Sequence, residues 1–123
     1  RISFSHAAGG LPLMLPRAQY FWSGAWNEEK RDPERALMPD DGPSPLDQAR
    51  RFYYDSLVFD RRAIRYLVDL LGSDRLLVGS DFPAMPREEP AARTLRSMGL
   101  DQTDLDDITW RNAFRWLGID PEL

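Results

Sequence analysis

His6 and Asp81 are the residues whose types and positions best suit proton transfer and metal binding. His6 is the only histidine of the chain and follows a segment in which apolar Ile2 and Phe4 alternate with serine. Asp81 ends a short apolar run, and Asp55 lies near the end of an aromatic one. An imidazole exchanges protons near neutral pH, and a carboxylate binds divalent cations. A purely structural interpretation is open: His6 hydrogen-bonded in a packed corner, and Asp81 capping the turn after its strand.

Arg17 lies eleven residues beyond His6, in a stretch that is otherwise apolar and aromatic. A guanidinium group in such surroundings indicates a carboxylate partner, because its planar fork matches both oxygens of the acid. That carboxylate could belong to a ligand or to the protein. The alternative is a surface arginine whose stem covers apolar residues while its head pairs with a nearby acid.

The hydrophobic pattern predicts three strands separated by helices. Strands are expected at residues 1–6, 52–57 and 76–81, the last one buried on both faces because it is continuously apolar. Residues 27–48 read as a long irregular connection, with a short helix around 33–37. Helices are expected at 11–26, from Asp60 to Gly72, at 88–98, and from a capping box at Thr103 to Gly118.

This alternation indicates right-handed βαβ units and a parallel α/β sheet. In such sheets reactive residues gather at the carboxyl ends of the strands, where His6, Asp55 and Asp81 are expected. Three strands are too few to close a barrel, which needs about eight. The chain is therefore either a small open α/β domain or the final three units of a barrel. A strand that is already running at residue 1 favours the barrel.

Composition excludes several classes of protein. The 123 residues form a single segment, and 42% hydrophobic with 11% aromatic residues exclude intrinsic disorder. The absence of cysteine excludes thiol and thiolate chemistry, and one histidine cannot supply a site with several His ligands. A net charge of −4 argues against nucleic-acid binding, and no apolar run is long enough to span a membrane. Without a signal-peptide pattern, we expect a cytoplasmic location.

Four segments together resemble the metal-dependent amidohydrolase-2 family, which includes the aminocarboxymuconate-semialdehyde decarboxylases. Residues 6–17 resemble its H-x-x-G-x-x-P-x(4)-R segment, and residues 52–60 its F-Y-x-D-x-x-x-x-D segment. Residues 77–83 are similar to its L-x-G-[ST]-D-[YF]-P segment, and Asn112-Ala113 to its closing N-A. The four occur in the family's order and cover nearly the whole chain. Ala7 and Ala8 depart from the glycines usual in the decarboxylases, which could alter the pocket floor.

The resemblance implies a distorted (β/α)₈ barrel, of which residues 1–123 would be the C-terminal portion, about strands six to eight. It implies that Asp81 is a metal ligand that also moves a proton in some relatives, that His6 is the general acid/base, and that Arg17 binds a substrate carboxylate. The cofactor would be a divalent metal, zinc or alternatively manganese, whose remaining ligands precede this segment. The partners would be a small carboxylic acid and a second copy or the missing N-terminal part; Trp22 and Trp26, at helical spacing, also suggest a dimer interface.

The resemblance implies non-oxidative decarboxylation of an unsaturated or aromatic carboxylic acid. A hydrolase or hydratase acting on an amide or lactone stays open, because the same groups could promote attack on a carbonyl. A third interpretation is a non-catalytic fragment or interaction module, since one His and one Asp make a poor metal site. For either enzyme, we expect the 123-residue segment to be inactive by itself.

Overall fold

A small parallel β-sheet forms the centre of the computed structural model, which describes residues 1–23 and 42–120. Its strands are β1 (Ser3–Phe4), β2 (Tyr53–Asp55) and β3 (Leu76–Leu77), in the spatial order β1-β2-β3. Both pairings are parallel, with Phe4 opposite Tyr54 and Asp55 opposite Leu77. The predicted parallel α/β arrangement is therefore confirmed, and all three strands end at the same edge.

Six helices accompany the sheet in the described part of the chain. The first three are α1 (Leu11–Trp22), α2 (Pro45–Ala49) and α3 (Arg61–Leu71). They are followed by α4 (Arg93–Arg96), α5 (Gln102–Asp106) and α6 (Asn112–Leu117), and a π-helical segment, Asp107–Arg111, joins α5 to α6. None of these helices has both the length and the apolar character that crossing a membrane requires.

Helix α3 forms where the sequence predicts it. The Asp60 carboxylate accepts hydrogen bonds from the backbone N–H groups of Arg62 (2.7 Å) and Ala63 (3.3 Å), which otherwise lack partners at a helix start. The helix buries an apolar stripe that includes Ile64 and Leu67 in the hydrophobic core, which also contains Tyr54 and Leu76 of the sheet. It ends at Gly72, whose φ of 92° a larger residue adopts only with strain.

Asn112 is completely buried and ties the last helix to the start of β3. Its Nδ2 donates to the carbonyl oxygens of Ser73 (2.8 Å) and Leu76 (2.7 Å). Its Oδ1 accepts from Arg115 at 2.7 Å. Every polar atom of the side chain is used, so this buried amide fixes how α6 packs beneath the sheet.

The structure shortens all three predicted strands and one predicted helix. The strands expected at 1–6 and 52–57 are reduced to β1, Ser3–Phe4, and β2, Tyr53–Asp55. The strand expected at residues 76–81 ends at Leu77, since the next N–H, that of Val78, donates to the Ile108 carbonyl at 3.2 Å and not to the sheet. The helix expected at 88–98 is reduced to α4, since Ala92 has a left-handed backbone (φ 58°) that a continuous helix cannot contain.

Two helix starts were also predicted wrongly. The final helical run begins with Asp101, whose carboxylate accepts from the N–H of Asp104 at 2.8 Å, and not with the Thr103 capping box. Helix α2 was not predicted, although Ser44 and Asp47 form a reciprocal capping box whose sequence signal was present. The short helix expected around 33–37 lies outside the described residues. So does Trp26, the predicted companion of Trp22 at a dimer interface.

Candidate functional site

Three of the candidate residues, His6, Asp55 and Asp81, lie at or beyond the carboxyl ends of the strands. His6 follows the end of β1 by two residues, Asp55 is the last residue of β2, and Asp81 follows the end of β3 by four. Since β2 lies between β1 and β3, the ends of the outer strands are two strand spacings apart, about 10 Å. The topology thus brings the imidazole and both carboxylates to one edge of the sheet.

A left-handed turn carries His6. Three consecutive residues, His6, Ala7 and Ala8, have φ values of 52°, 51° and 57°. Each such non-glycine residue costs roughly 1 kcal/mol, so contacts around the turn must hold it. Ala7 is buried at 2% exposure, and the Gly9 N–H donates to the His6 carbonyl at 2.8 Å. The alanines that depart from the family's glycines therefore occupy positions where glycine would be unstrained.

The His6 imidazole is exposed and has one nitrogen engaged. Its Nδ1 lies 2.7 Å from the Ser5 hydroxyl, in a hydrogen bond whose direction depends on the tautomer. No described residue forms a hydrogen bond with Nε2. Nε2 is consequently the nitrogen that can exchange a proton with a ligand. The packed, bonded corner of the structural alternative is not what the fold provides.

Asp55 joins the turn after β1 to the loop after its own strand. One carboxylate oxygen, Oδ1, accepts from the Ala7 N–H at 3.2 Å and from the Leu57 N–H at 3.1 Å. The residue is half-buried. This carboxylate is therefore committed to backbone donors on two different loops.

Gly79 allows β3 and the loop after β2 to approach closely. A Cβ atom at this position would lie 2.6 Å from Leu57 Cγ and 3.3 Å from Asp55 Cβ, and the first distance is a clash. Sequence reasoning missed this role, although a glycine within an apolar run is a known sign of close backbone approach. A side chain here would push apart the loops that carry Asp55 and Asp81.

Asp81 occupies a strained position with its carboxylate unused. Its backbone φ is 52°, and its carbonyl accepts from the Met85 N–H at 2.9 Å. The Ser80 hydroxyl, not Asp81, caps the turn by accepting from the Phe82 N–H at 3.3 Å. Within residues 1–23 and 42–120 the Asp81 carboxylate has no hydrogen-bond or salt-bridge partner. Its oxygens are free to bind a ligand or a cation.

Arg17 lies on α1, exposed to solvent, and stacks on an aromatic ring. Its guanidinium carbon is 4.9 Å from the centre of the Phe21 ring. Among the residues that the structure describes, it forms no salt bridge, so the local acid of the surface alternative is not found there. Within residues 1–23 and 42–120 no carboxylate pairs with Arg17, and its role as a clamp stays a prediction.

A cavity of about 360 Å³ opens beside this edge. It lies between the loop after β2, the residues after β3 and the segment 86–95, with Ser56, Phe59, Ser80 and Arg87 on its walls. His6 and Asp81 do not line it. The cavity borders the predicted site without containing it.

Two ionisable groups near the sheet have shifted pKa values. Hydrogen bonds from Arg62, and from the backbone at the start of α3, lower the pKa of Asp60 to about 2. Burial raises the pKa of the Tyr54 hydroxyl, which donates to the Ala49 carbonyl at 2.8 Å. Both groups belong to the scaffold, since Asp60 starts α3 and Tyr54 is a buried residue of β2.

The donors present suit a divalent metal in type but not in number. Imidazole nitrogen and carboxylate oxygen are ligands that zinc and manganese both accept. In the described stretches of the chain, however, no three acidic or histidine side chains gather into a metal-binding group. Asp81, whose carboxylate has no described partner, fits a ligand position only if other residues complete the set.

A parallel α/β sheet with an imidazole and, among the described residues, an uncommitted carboxylate at one edge places the chain in the class of parallel α/β proteins. Comparison with known proteins gives the family. The amidohydrolase family profile matches residues 1–119, and the chain belongs to this family.

Curated relatives include two 2-amino-3-carboxymuconate-6-semialdehyde decarboxylases. The one from Dictyostelium discoideum is 25% identical over 98% of this chain and 32% of its own length. The one from Caenorhabditis elegans is 27% identical over 100% of this chain and 29% of its own length. The chain thus spans about a third of the length of these relatives.

Solved structures share the fold at low sequence identity. The 5-carboxyvanillate decarboxylase LigW from Sphingomonas paucimobilis superposes with a TM-score of 0.74 at 23% identity, covering 97% of this chain and 34% of that one. A dihydroxybenzoic acid decarboxylase from Polaromonas sp. JS666, with bound manganese and the inhibitor 2-nitroresorcinol, gives 0.71 at 20% identity over 96% and 33%. The family resemblance predicted from the motifs is confirmed by the profile match over residues 1–119.

Proposed function

We propose that the chain is the C-terminal portion of an amidohydrolase-type (β/α)₈ barrel, contributing about strands six to eight. Three observations support this. The chain aligns with only about a third of each relative, and β1 and β3 are each paired on one side only among the described residues. Apolar side chains in and next to β1 also remain exposed, including Ile2 at 54% and Phe4 at 38%. Barrel closure would supply the missing strand neighbours.

The complete protein would be a metal-dependent, non-oxidative decarboxylase of an unsaturated or aromatic carboxylic acid. The observation that carries this proposal is the placement of His6 and Asp81 at one edge of the sheet in a chain of this family. The relatives' names support it, since they describe decarboxylases of such acids. A dimer, suggested by the resemblance and by the helical spacing of Trp22 and Trp26, belongs to the same proposal.

His6, Arg17 and Asp81 would divide the chemistry. Arg17 would hold the substrate carboxylate or a second acidic group through paired N–H donors. Asp81 would be one ligand of a zinc or manganese ion, which when bound supplies positive charge that stabilises the developing negative charge. Carbon dioxide leaves as the C–C bond breaks, and the electron pair stays on the substrate carbon. His6 Nε2 would then donate a proton to that carbon and be reprotonated from solvent.

The direct test is to assay the full-length protein in D₂O with aromatic and unsaturated carboxylic acids, in the presence of zinc or manganese. We expect release of carbon dioxide and, by mass spectrometry, one deuterium at the carbon that lost the carboxyl group. Hydrolysis of lactones or amides without carbon dioxide release would instead establish the hydrolase alternative and overturn the proposal.

A further inference from the structure

Asp55 ends β2, and His6 lies in the turn after the neighbouring strand β1. A hydrogen bond connects the Asp55 carboxylate to that turn. We propose that Asp55 is a positioning residue whose carboxylate holds the left-handed turn that carries the imidazole. The inference rests on the proposed role of His6 as proton donor. Its basis is the hydrogen bond from the Ala7 N–H, the group next to His6 in the chain, to Asp55 Oδ1 at 3.2 Å.

The turn needs an external anchor. Three successive non-glycine residues with positive φ do not persist through local preference, so surrounding contacts must determine them. The turn's own backbone bonds, Ala8 N–H to Ser5 O (3.0 Å) and Gly9 N–H to His6 O (2.8 Å), close it on itself. Among the described residues, Asp55 provides the one side chain that bonds the backbone of residues 6–8.

Asp55 is itself fixed, so it can transmit a defined position. It ends the central strand, where it pairs with Leu77, and its Oδ1 also accepts from the Leu57 N–H at 3.1 Å. Gly79 packs so closely against it that a Cβ there would lie 3.3 Å from Asp55 Cβ. The carboxylate therefore links the loops after β1 and β2 at a point that β3 also touches.

The arrangement separates this role from substrate binding. Asp55 Oδ1 is occupied by two backbone donors and acts through the turn, so its loss should misplace the imidazole while leaving Arg17 and Asp81 in place. A misplaced catalytic group slows the chemical step more than it weakens substrate binding, and small displacements cost up to about 100-fold.

The first measurement compares Asp55→Ala, Asp55→Asn and the control Asp69→Ala in the full-length protein. We expect Asp55→Ala to lower kcat by about 10- to 100-fold with KM changed less than about threefold. Asp55→Asn should recover kcat to within about threefold, because its amide oxygen can accept from both backbone N–H groups. Asp69, an exposed acid on α3, should leave both constants unchanged. Equal losses in Asp55→Ala and Asp55→Asn, or a loss confined to KM, would overturn the positioning role.

A double-mutant cycle with His6→Asn separates this inference from the proposed function. If Asp55 acts through His6, Asp55→Ala should lower kcat no further in the His6→Asn background. Additive losses would mean that Asp55 acts elsewhere and would refute the inference while preserving the role of His6. An unchanged kcat in His6→Asn alone would instead refute the proposed proton donor, and with it the inference built on it.

Discussion

At the scale of single residues, the local backbone decides which atoms are available. The left-handed turn leaves the His6 ring exposed with Nδ1 against Ser5, so Nε2 is the nitrogen open to a ligand. At Asp81 the neighbouring Ser80 hydroxyl takes over the capping of the turn, which leaves the carboxylate uncommitted among the described residues. A reactive side chain is available to a ligand where the surrounding backbone does not use it as a hydrogen-bond partner.

Arg17 gives a prediction at this scale. If its guanidinium binds a carboxylate through two parallel hydrogen bonds, Arg17→Lys should lower kcat/KM by about 10-fold or more, since an ammonium group cannot reproduce the fork. Steady-state kinetics of the full-length protein measure this, with Arg93→Lys, an exposed position on α4, as the matched control. An unchanged kcat/KM in Arg17→Lys would return Arg17 to the role of a surface side chain stacked on Phe21.

At the scale of elements, the sheet edge depends on how helices are attached behind it. Helix α6 is held by the buried Asn112 amide, and α3 is started by the Asp60 carboxylate at the end of the loop after β2. These contacts fix the strands whose ends carry the site. They also give two motif residues, Asp60 and Asn112, a structural role in place of a reactive one.

Asn112→Ala should destabilise the full-length protein by about 2–3 kcal/mol, because two carbonyls lose their donor and Arg115 loses an acceptor in a buried setting. Denaturant unfolding followed by tryptophan fluorescence measures the difference. Gln102→Ala removes an exposed amide and should change the free energy of unfolding by less than about 0.5 kcal/mol. A similar small effect for Asn112→Ala would contradict the anchoring role.

Asp60 makes the start of α3 sensitive to acid. Its pKa in the folded state, about 2, lies below the ordinary value of 3.8, so its ionised form stabilises the fold. This contribution is complete above about pH 4 and is lost as the pH falls toward 2. We therefore expect the stability of Asp60→Asn to fall less steeply than that of wild type over this range in acid unfolding curves. The control Asp69→Asn should follow the wild-type curve, and identical slopes for all three proteins would count against the assignment.

At the scale of the whole molecule, the described residues form a sheet whose outer strands, β1 and β3, each lack a neighbour on one side. They also supply too few side chains to complete a metal site. Large apolar side chains such as Leu13 (73% exposed) and Leu117 (60%) also face outward. In the proposed barrel, the rest of the full-length protein would cover such side chains and supply the missing strand neighbours.

The 123-residue segment by itself should neither retain stoichiometric zinc after dialysis nor decarboxylate any substrate, because Asp81 and His6 cannot complete a tetrahedral set. Metal analysis and carbon dioxide assays of the purified segment check this. The full-length protein, treated in the same way, provides the comparison. Zinc bound one to one by the segment after dialysis would show that its own residues form a complete site.

The sequence by itself determined the family, the parallel α/β class, the limits of α3 and the alignment of His6, Asp55 and Asp81 with strand ends. These follow from short-range signals: motif spacing, hydrophobic period and helix caps. Tertiary structure decided that α4 is short, that Asp55 bonds the turn of His6, and that Gly79 must lack a side chain. Those features arise from contacts between residues more than twenty positions apart, or from backbone angles imposed by packing, which local patterns do not encode.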